Sequence, residues 1–209
     1  MHKVSRLFFW KYACLSMFFF MSIVPLQHID AAGPVQKEIQ PFILPESHGK
    51  NISLDDYPQA KGFIIVFTCN HCPFAGLYTS RLNTLYQEYQ PEHIPLIAIN
   101  PMDTLVYQEE NLDGMRNHAD SAGYIFPYLQ DAGQDIAKKF GATHTPQAFI
   151  LWKEKNALIV RYSGALDDNG KYPDKAFSYI RMALDELLQG RAVSRPSVPS
   201  FGCRIYYRK

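Results

Sequence analysis

Cysteine is scarce in this chain: four residues among 209, at positions 14, 69, 72 and 203. A small secreted domain stapled by disulfides carries more of them, which argues against a disulfide scaffold. There is no second Cys-x-x-Cys pair and no His pair at ligand spacing. A structural zinc site, which takes about four ligands, is therefore short of donors. Neither sign of charge dominates, with 21 Lys and Arg against 20 Asp and Glu and a formal net charge of +1. A near-neutral body offers no electrostatic footing for nucleic acid. No internal repeat or low-complexity tract occurs, which argues against a disordered chain.

What is present suits one globular domain. Hydrophobic residues make up 47% and aromatics 14% of the sequence, enough for a single core. The N-terminus stands apart. His2, Lys3, Arg6 and Lys11 form a basic start, and Ala13 to Leu26 is almost wholly apolar. Small residues follow at Ala31 and Ala32. These are the parts of a secretory signal peptide. We expect a signal peptide over 1–31, a domain over 32–190 and a C-terminal tail over 191–209. The protein would then be exported, to the periplasm or outside the cell. The apolar run falls short of the roughly 20 residues that cross a bilayer. An uncleaved leader would be the sole membrane attachment. Without the leader, Cys69, Cys72 and Cys203 remain, one close pair and one left over, which suits chemistry better than scaffolding.

The mature chain reads as alternating strands and helices. Phe42 to Leu54, with a turn at His48-Gly49, suggests an N-terminal hairpin. Phe63 to Phe67 is a continuous β-branched and aromatic run, as in a strand buried on both faces. Apolar residues then recur at helical spacing from Phe74 to Tyr89. Pro73 suits the first turn of that helix. Further strands are expected over 94–99, 147–152 and 157–162, and helices over 107–121, 135–140 and 173–188. Phe177 is expected on the inner side of the last helix. The order implies an α/β sandwich with a central mixed β-sheet.

Cys69-Asn70-His71-Cys72 falls at the strand-to-helix junction. The thiolate attacks in disulfide exchange, so the protein must lower a thiol pKa. A helix N-terminus does so with unpaired N–H groups and its dipole. Cys69 is expected at that terminus, with Cys72 one turn on to resolve a mixed disulfide. His71, if protonated, adds a positive charge beside them. Exchange requires the two sulfurs to lie close together with one open face. Thr145-Pro146 opens the third core strand, and a cis-proline facing the cysteines is expected there.

Taken together, Phe67 to Pro73, Phe126 to Leu129, Gly141 to Pro146, Gly164 to Asn169 and Gly202-Cys203 resemble the thioredoxin superfamily. The likeness is to its redoxin branch, with the alkyl hydroperoxide reductase and thiol-specific antioxidant group. It implies a thioredoxin-like three-layer sandwich, a nucleophile at Cys69 and a resolving thiol at Cys72. It also gives His71 and Pro146 a part in catalysis and puts Thr68, Pro73, Thr145 and Pro146 beside the substrate. Two departures stand out. Thr68 replaces the tryptophan that thioredoxins place before the first cysteine. Phe63 replaces their buried acid, so proton transfer needs another group. The peroxidatic Pro-x-x-x-Thr-x-x-Cys pattern is absent: Val66 stands three before Cys69, and Cys69 itself three before Cys72.

The function expected is an exported thiol–disulfide oxidoreductase, with protein thiols or disulfides and a redox partner on either side and no cofactor. A thiol-dependent peroxidase is the alternative suggested by the redoxin likeness. A copper chaperone using Cys69, Cys72 and His144 is another, since soft thiolates favour copper(I). His144 otherwise reads as a loop histidine. Cys203 reads as a free tail thiol or as a disulfide partner for Cys69 or for another molecule. Asp167 to Gly170 reads as a turn, and Arg204, Tyr206, Tyr207, Arg208 and Lys209 as a solvated tail.

Overall fold

The computed structural model describes residues 37–209, so the expected signal peptide lies outside the described residues. A short hairpin, β1 (Ile43–Pro45) and β2 (Asn51–Ser53), precedes the main sheet. The elements that follow are β3 (Gly62–Phe67), α1 (Pro73–Gly76), α2 (Thr79–Tyr89), β4 (Leu96–Asn100), α3 (Leu112–Ala122), β5 (Tyr128–Gln130) and α4 (Asp135–Phe140). The chain ends with β6 (His144–Thr145), β7 (Gln147–Glu154), β8 (Ala157–Gly164), α5 (Tyr179–Leu188) and β9 (Cys203–Arg204).

The main sheet has the order β5-β4-β3-β7-β8. β3 runs parallel to β4 and antiparallel to β7, so the sheet is mixed. All six residues of β3 are buried, which explains its unbroken apolar run. Alternate side chains serve opposite faces. Ile64 and Val66 meet α2, α3 and α5 through Leu82, Leu85, Met115 and Leu184. Phe63, Ile65 and Phe67 meet α4 and the N-terminal segment through Ile136, Phe140, Ile39 and Phe42. The Phe67 ring lies 5.4 Å from that of Phe140 and 5.6 Å from that of Phe149. This is the expected three-layer thioredoxin-like sandwich with its N-terminal hairpin.

The helices differ from the sequence expectation at their starts. The helix expected behind the cysteines is broken: Leu77 and Tyr78 make i→i−3 bonds to Phe74 and Ala75, between α1 and α2. Gly76, a poor helix former, sits at the break. The last helix begins at Tyr179, not at Pro173. The Phe177 N–H is taken by the Asp168 carboxylate, and the Ser178 hydroxyl caps the helix by accepting the Arg181 N–H. Phe177 therefore lies outside the helix and is exposed. The short strands β5, β6 and β9 carry too few residues to show a period in the sequence.

The tail docks on the domain through Ile205 and Tyr207, while Arg204, Tyr206, Arg208 and Lys209 are exposed as expected. Ser163 of β8 donates its N–H to the Pro196 carbonyl and accepts the Val198 N–H. β9 pairs with β6, Ile205 is buried, and the Tyr207 hydroxyl donates to the Ala142 carbonyl at 2.5 Å. Arg208 closes an ion pair with Asp103. The Asp167 to Gly170 turn is also anchored: Tyr78 and Arg81 both donate to the buried Asp167 carboxylate.

Candidate functional site

The site forms where β3 ends. Thr68 continues the ladder by donating its N–H to Ile99, and the chain then turns through Cys69-Asn70-His71 into α1. Cys72, not Cys69, is the N-cap residue of α1, with Pro73 at its first position. α1 has only four residues, so its dipole is small and local donors decide the electrostatics.

Both thiols converge on Thr145. Its hydroxyl lies 3.2 Å from the Cys69 sulfur, and its carbonyl lies 3.2 Å from the Cys72 sulfur. The Thr145–Pro146 peptide bond is cis. The two sulfur-bearing residues also pack in one cluster, where each shifts the other's pKa. The hydrogen bond from Cys69 lowers the Cys72 pKa; burial opposes it, and the Cys203 thiol and the Ala75 and Cys203 N–H groups add to the lowering. The same pairing, then burial, pushes the Cys69 thiol up, and the Glu110 charge adds to this. The Thr145 carbonyl, which accepts from the Cys72 thiol, favours its protonated form and opposes the lowering.

The loop between the cysteines is held by Glu110, which is fully buried. Its carboxylate accepts the Asn70 N–H at 3.1 and 3.0 Å, the His71 N–H at 3.0 Å and His71 Nδ1–H at 2.5 Å. Asn100 Nδ2 donates to it at 2.5 Å and to the Tyr128 hydroxyl at 3.0 Å, and that hydroxyl donates to Asn70 Oδ1 at 2.9 Å. The His71 ring stacks on Tyr107, with centroids 4.3 Å apart and planes 16° apart.

Residues 35–169 match the AhpC/TSA family. The chain belongs to the AhpC/TSA family. Like other thioredoxin-superfamily proteins of the redoxin branch, this AhpC/TSA protein has relatives named for thiol chemistry. It is 26% identical to the thiol-disulfide oxidoreductase ResA of Bacillus thuringiensis strain Al Hakam over 120 residues, which cover 57% of this chain and 65% of ResA. The chain thus spans just under two thirds of that relative's length. Among solved structures, an uncharacterized conserved protein from Geobacillus kaustophilus is 35% identical with a TM-score of 0.74, covering 85% of this chain and 94% of its own. The hypothetical protein SMc02350 from Sinorhizobium meliloti 1021 is 30% identical with the same TM-score of 0.74, over 83% and 94%.

The AhpC/TSA protein places its expected site residues unequally. Cys69 and Cys72 are 1% and 2% exposed, beneath Met102, Tyr107 and Cys203, so the face expected to be open is covered. Thr68 and Thr145 are fully buried and Pro146 is buried, while Pro73 is exposed. The Thr68 hydroxyl has no hydrogen-bond partner. His144 pairs with the Thr143 hydroxyl at 2.9 Å and does not join the sulfurs. The set able to hold a metal ion among the described residues is Cys69, His71 and Glu110 instead. Both Glu110 oxygens already accept N–H donors, which a cation would have to displace. Cys203 is half-buried and lies opposite Thr145 in the β6–β9 pair. Sequence reasoning missed Glu110, Tyr107 and Met102. The one available signal was the lack of an acid at Phe63, which required a proton-handling group from elsewhere.

Proposed function

We propose that the protein is an exported thiol–disulfide oxidoreductase whose Cys69–Cys72 pair cycles between dithiol and disulfide. The observation that carries this is two thiols packed together at the end of β3, both held by Thr145. A stabilised thiolate is both the attacking group and a good leaving group in exchange. The family likeness gives attack to Cys69 and resolution to Cys72. The lowered Cys72 pKa and raised Cys69 pKa support the opposite order in the reduced site: the Cys72 thiolate attacks an incoming disulfide, and the Cys69 thiol then displaces it to close Cys69–Cys72. Glu110 holds the Asn70 and His71 N–H groups and the His71 ring, and so positions the loop that carries both sulfurs. Burial under Tyr107 and Met102 means that a substrate must displace this cover to reach the pair.

Trapping separates the two orders. With Cys72 attacking, Cys69→Ser/Cys203→Ser accumulates a mixed disulfide with a peptide disulfide, and Cys72→Ser/Cys203→Ser does not. Insulin reduction driven by dithiothreitol should be lost in either variant. A Cys69→Ser/Cys72→Ser protein with wild-type turnover defeats the proposal.

A further inference from the structure

The third cysteine belongs to the same sulfur cluster. β9 sets Cys203 directly across from Thr145, the residue that holds Cys69 through its hydroxyl and Cys72 through its carbonyl. The chain reaches this position because Gly202 passes against the Thr145 carbonyl: a Cβ there would lie 2.1 Å from that oxygen, and φ is +136°. Cys203 packs against the cluster of Cys69, Cys72, Ala75 and Met102. Of the three cysteines gathered here, Cys203 is the one that is not fully buried. A leftover tail thiol has no reason to be clamped there by a strand pair and a close-packed glycine.

We propose that Cys203 is a third redox sulfur, which forms a disulfide with Cys72 and carries exchange between the buried pair and the protein surface. This rests on the Cys69–Cys72 reading above. Starting from the Cys69–Cys72 disulfide, the Cys203 thiolate attacks Cys72 Sγ. The Cys72–Cys203 bond forms, the Cys69–Cys72 bond breaks, and Cys69 leaves and takes up the proton lost by Cys203. No electrons are gained or lost in this step. A thiolate of an external protein dithiol then attacks Cys203 Sγ, and Cys72 leaves as the stabilised thiolate. The second thiol of that dithiol releases Cys203, so the external dithiol is oxidised and the pair is reduced. Burial and the neighbouring Cys72 hold the Cys203 thiol up, to about 11. The Cys72 share of that rise disappears once Cys72 is in a disulfide, which frees Cys203 to ionise when it must attack.

The test uses the full chain oxidised with one equivalent of diamide and mapped by trypsin and mass spectrometry. In Cys69→Ser, peptides 62–81 and 192–204 should be joined through Cys72–Cys203. In Cys72→Ser they should stay separate. Cys203→Ser, which keeps the side-chain size, should still form Cys69–Cys72 but reduce insulin about tenfold more slowly or worse. If wild type forms Cys69–Cys72 and Cys69→Ser gives no cross-link, the relay is wrong and the redox pair stands. Wild-type turnover in folded Cys203→Ser also overturns the relay. If wild type forms neither disulfide, the oxidoreductase proposal fails as well.

Discussion

His71 Nδ1 donates to the buried Glu110 carboxylate at 2.5 Å, joining the middle of the cysteine motif to the turn before α3. A buried acceptor that gathers backbone N–H groups is worth more to loop order than any surface pair. Glu110→Gln keeps the volume but turns an amide toward the Asn70 or His71 N–H. It should cost about 2–4 kcal/mol in urea unfolding. It should also slow disulfide exchange, because the sulfurs lose their fixed spacing. An unchanged midpoint would show that the network does not hold the loop.

Thiolate titration reports where the charge sits. The Cys72 pKa is depressed, while those of Cys69 and Cys203 are raised. Absorbance of the reduced protein near 240 nm should therefore show one thiolate at neutral pH and none further until above the usual cysteine range. With one proton per two electrons, the potential of the pair should change by ~30 mV per pH unit around neutrality, against ~60 mV for two protons. The sign for stability follows. A depressed pKa contributes stability that is present above the unfolded value and lost as pH falls through the folded value. Acidification should thus weaken the reduced protein more than Cys72→Ser.

Tyr107 stacks on His71 and packs over the sulfurs. Tyr107→Ala removes one stacking contact, at a cost of about 0.5–1.5 kcal/mol beyond lost area. It should expose the pair, and iodoacetamide should label the reduced variant about tenfold faster or more, since alkylation follows thiolate access. Equal labelling rates would place the covering elsewhere.

Gly202→Ala brings a methyl group to 2.1 Å from the Thr145 oxygen, at a φ of +136° that L side chains rarely adopt. The β6–β9 pair should come apart at a cost of about 1–3 kcal/mol. Labelling of Cys203 should then rise well above wild type, while Cys203→Ser as a control should leave the fold intact by circular dichroism.

Much of this protein is written in short stretches of chain. Phe63 to Phe67 is apolar at every position because both faces of β3 are covered, and five residues suffice to show it. Gly141 ends α4 with a left-handed residue, and Pro73 opens α1, each through its own backbone. The spacing of Cys69 and Cys72 at a strand–helix junction is equally local. What surrounds those sulfurs is not. Glu110 lies 40 residues from Asn70, and Thr145 lies 76 from Cys69. Nothing in the periodicity of either segment marks its partner, because an apolar or polar pattern states that a face is covered and never by what. The lowering of the Cys72 pKa, the closing of the site by Tyr107 and the arrival of Cys203 all draw on contacts between distant segments. Those contacts exist once the sheet has set its strands side by side, and they vanish when it comes apart.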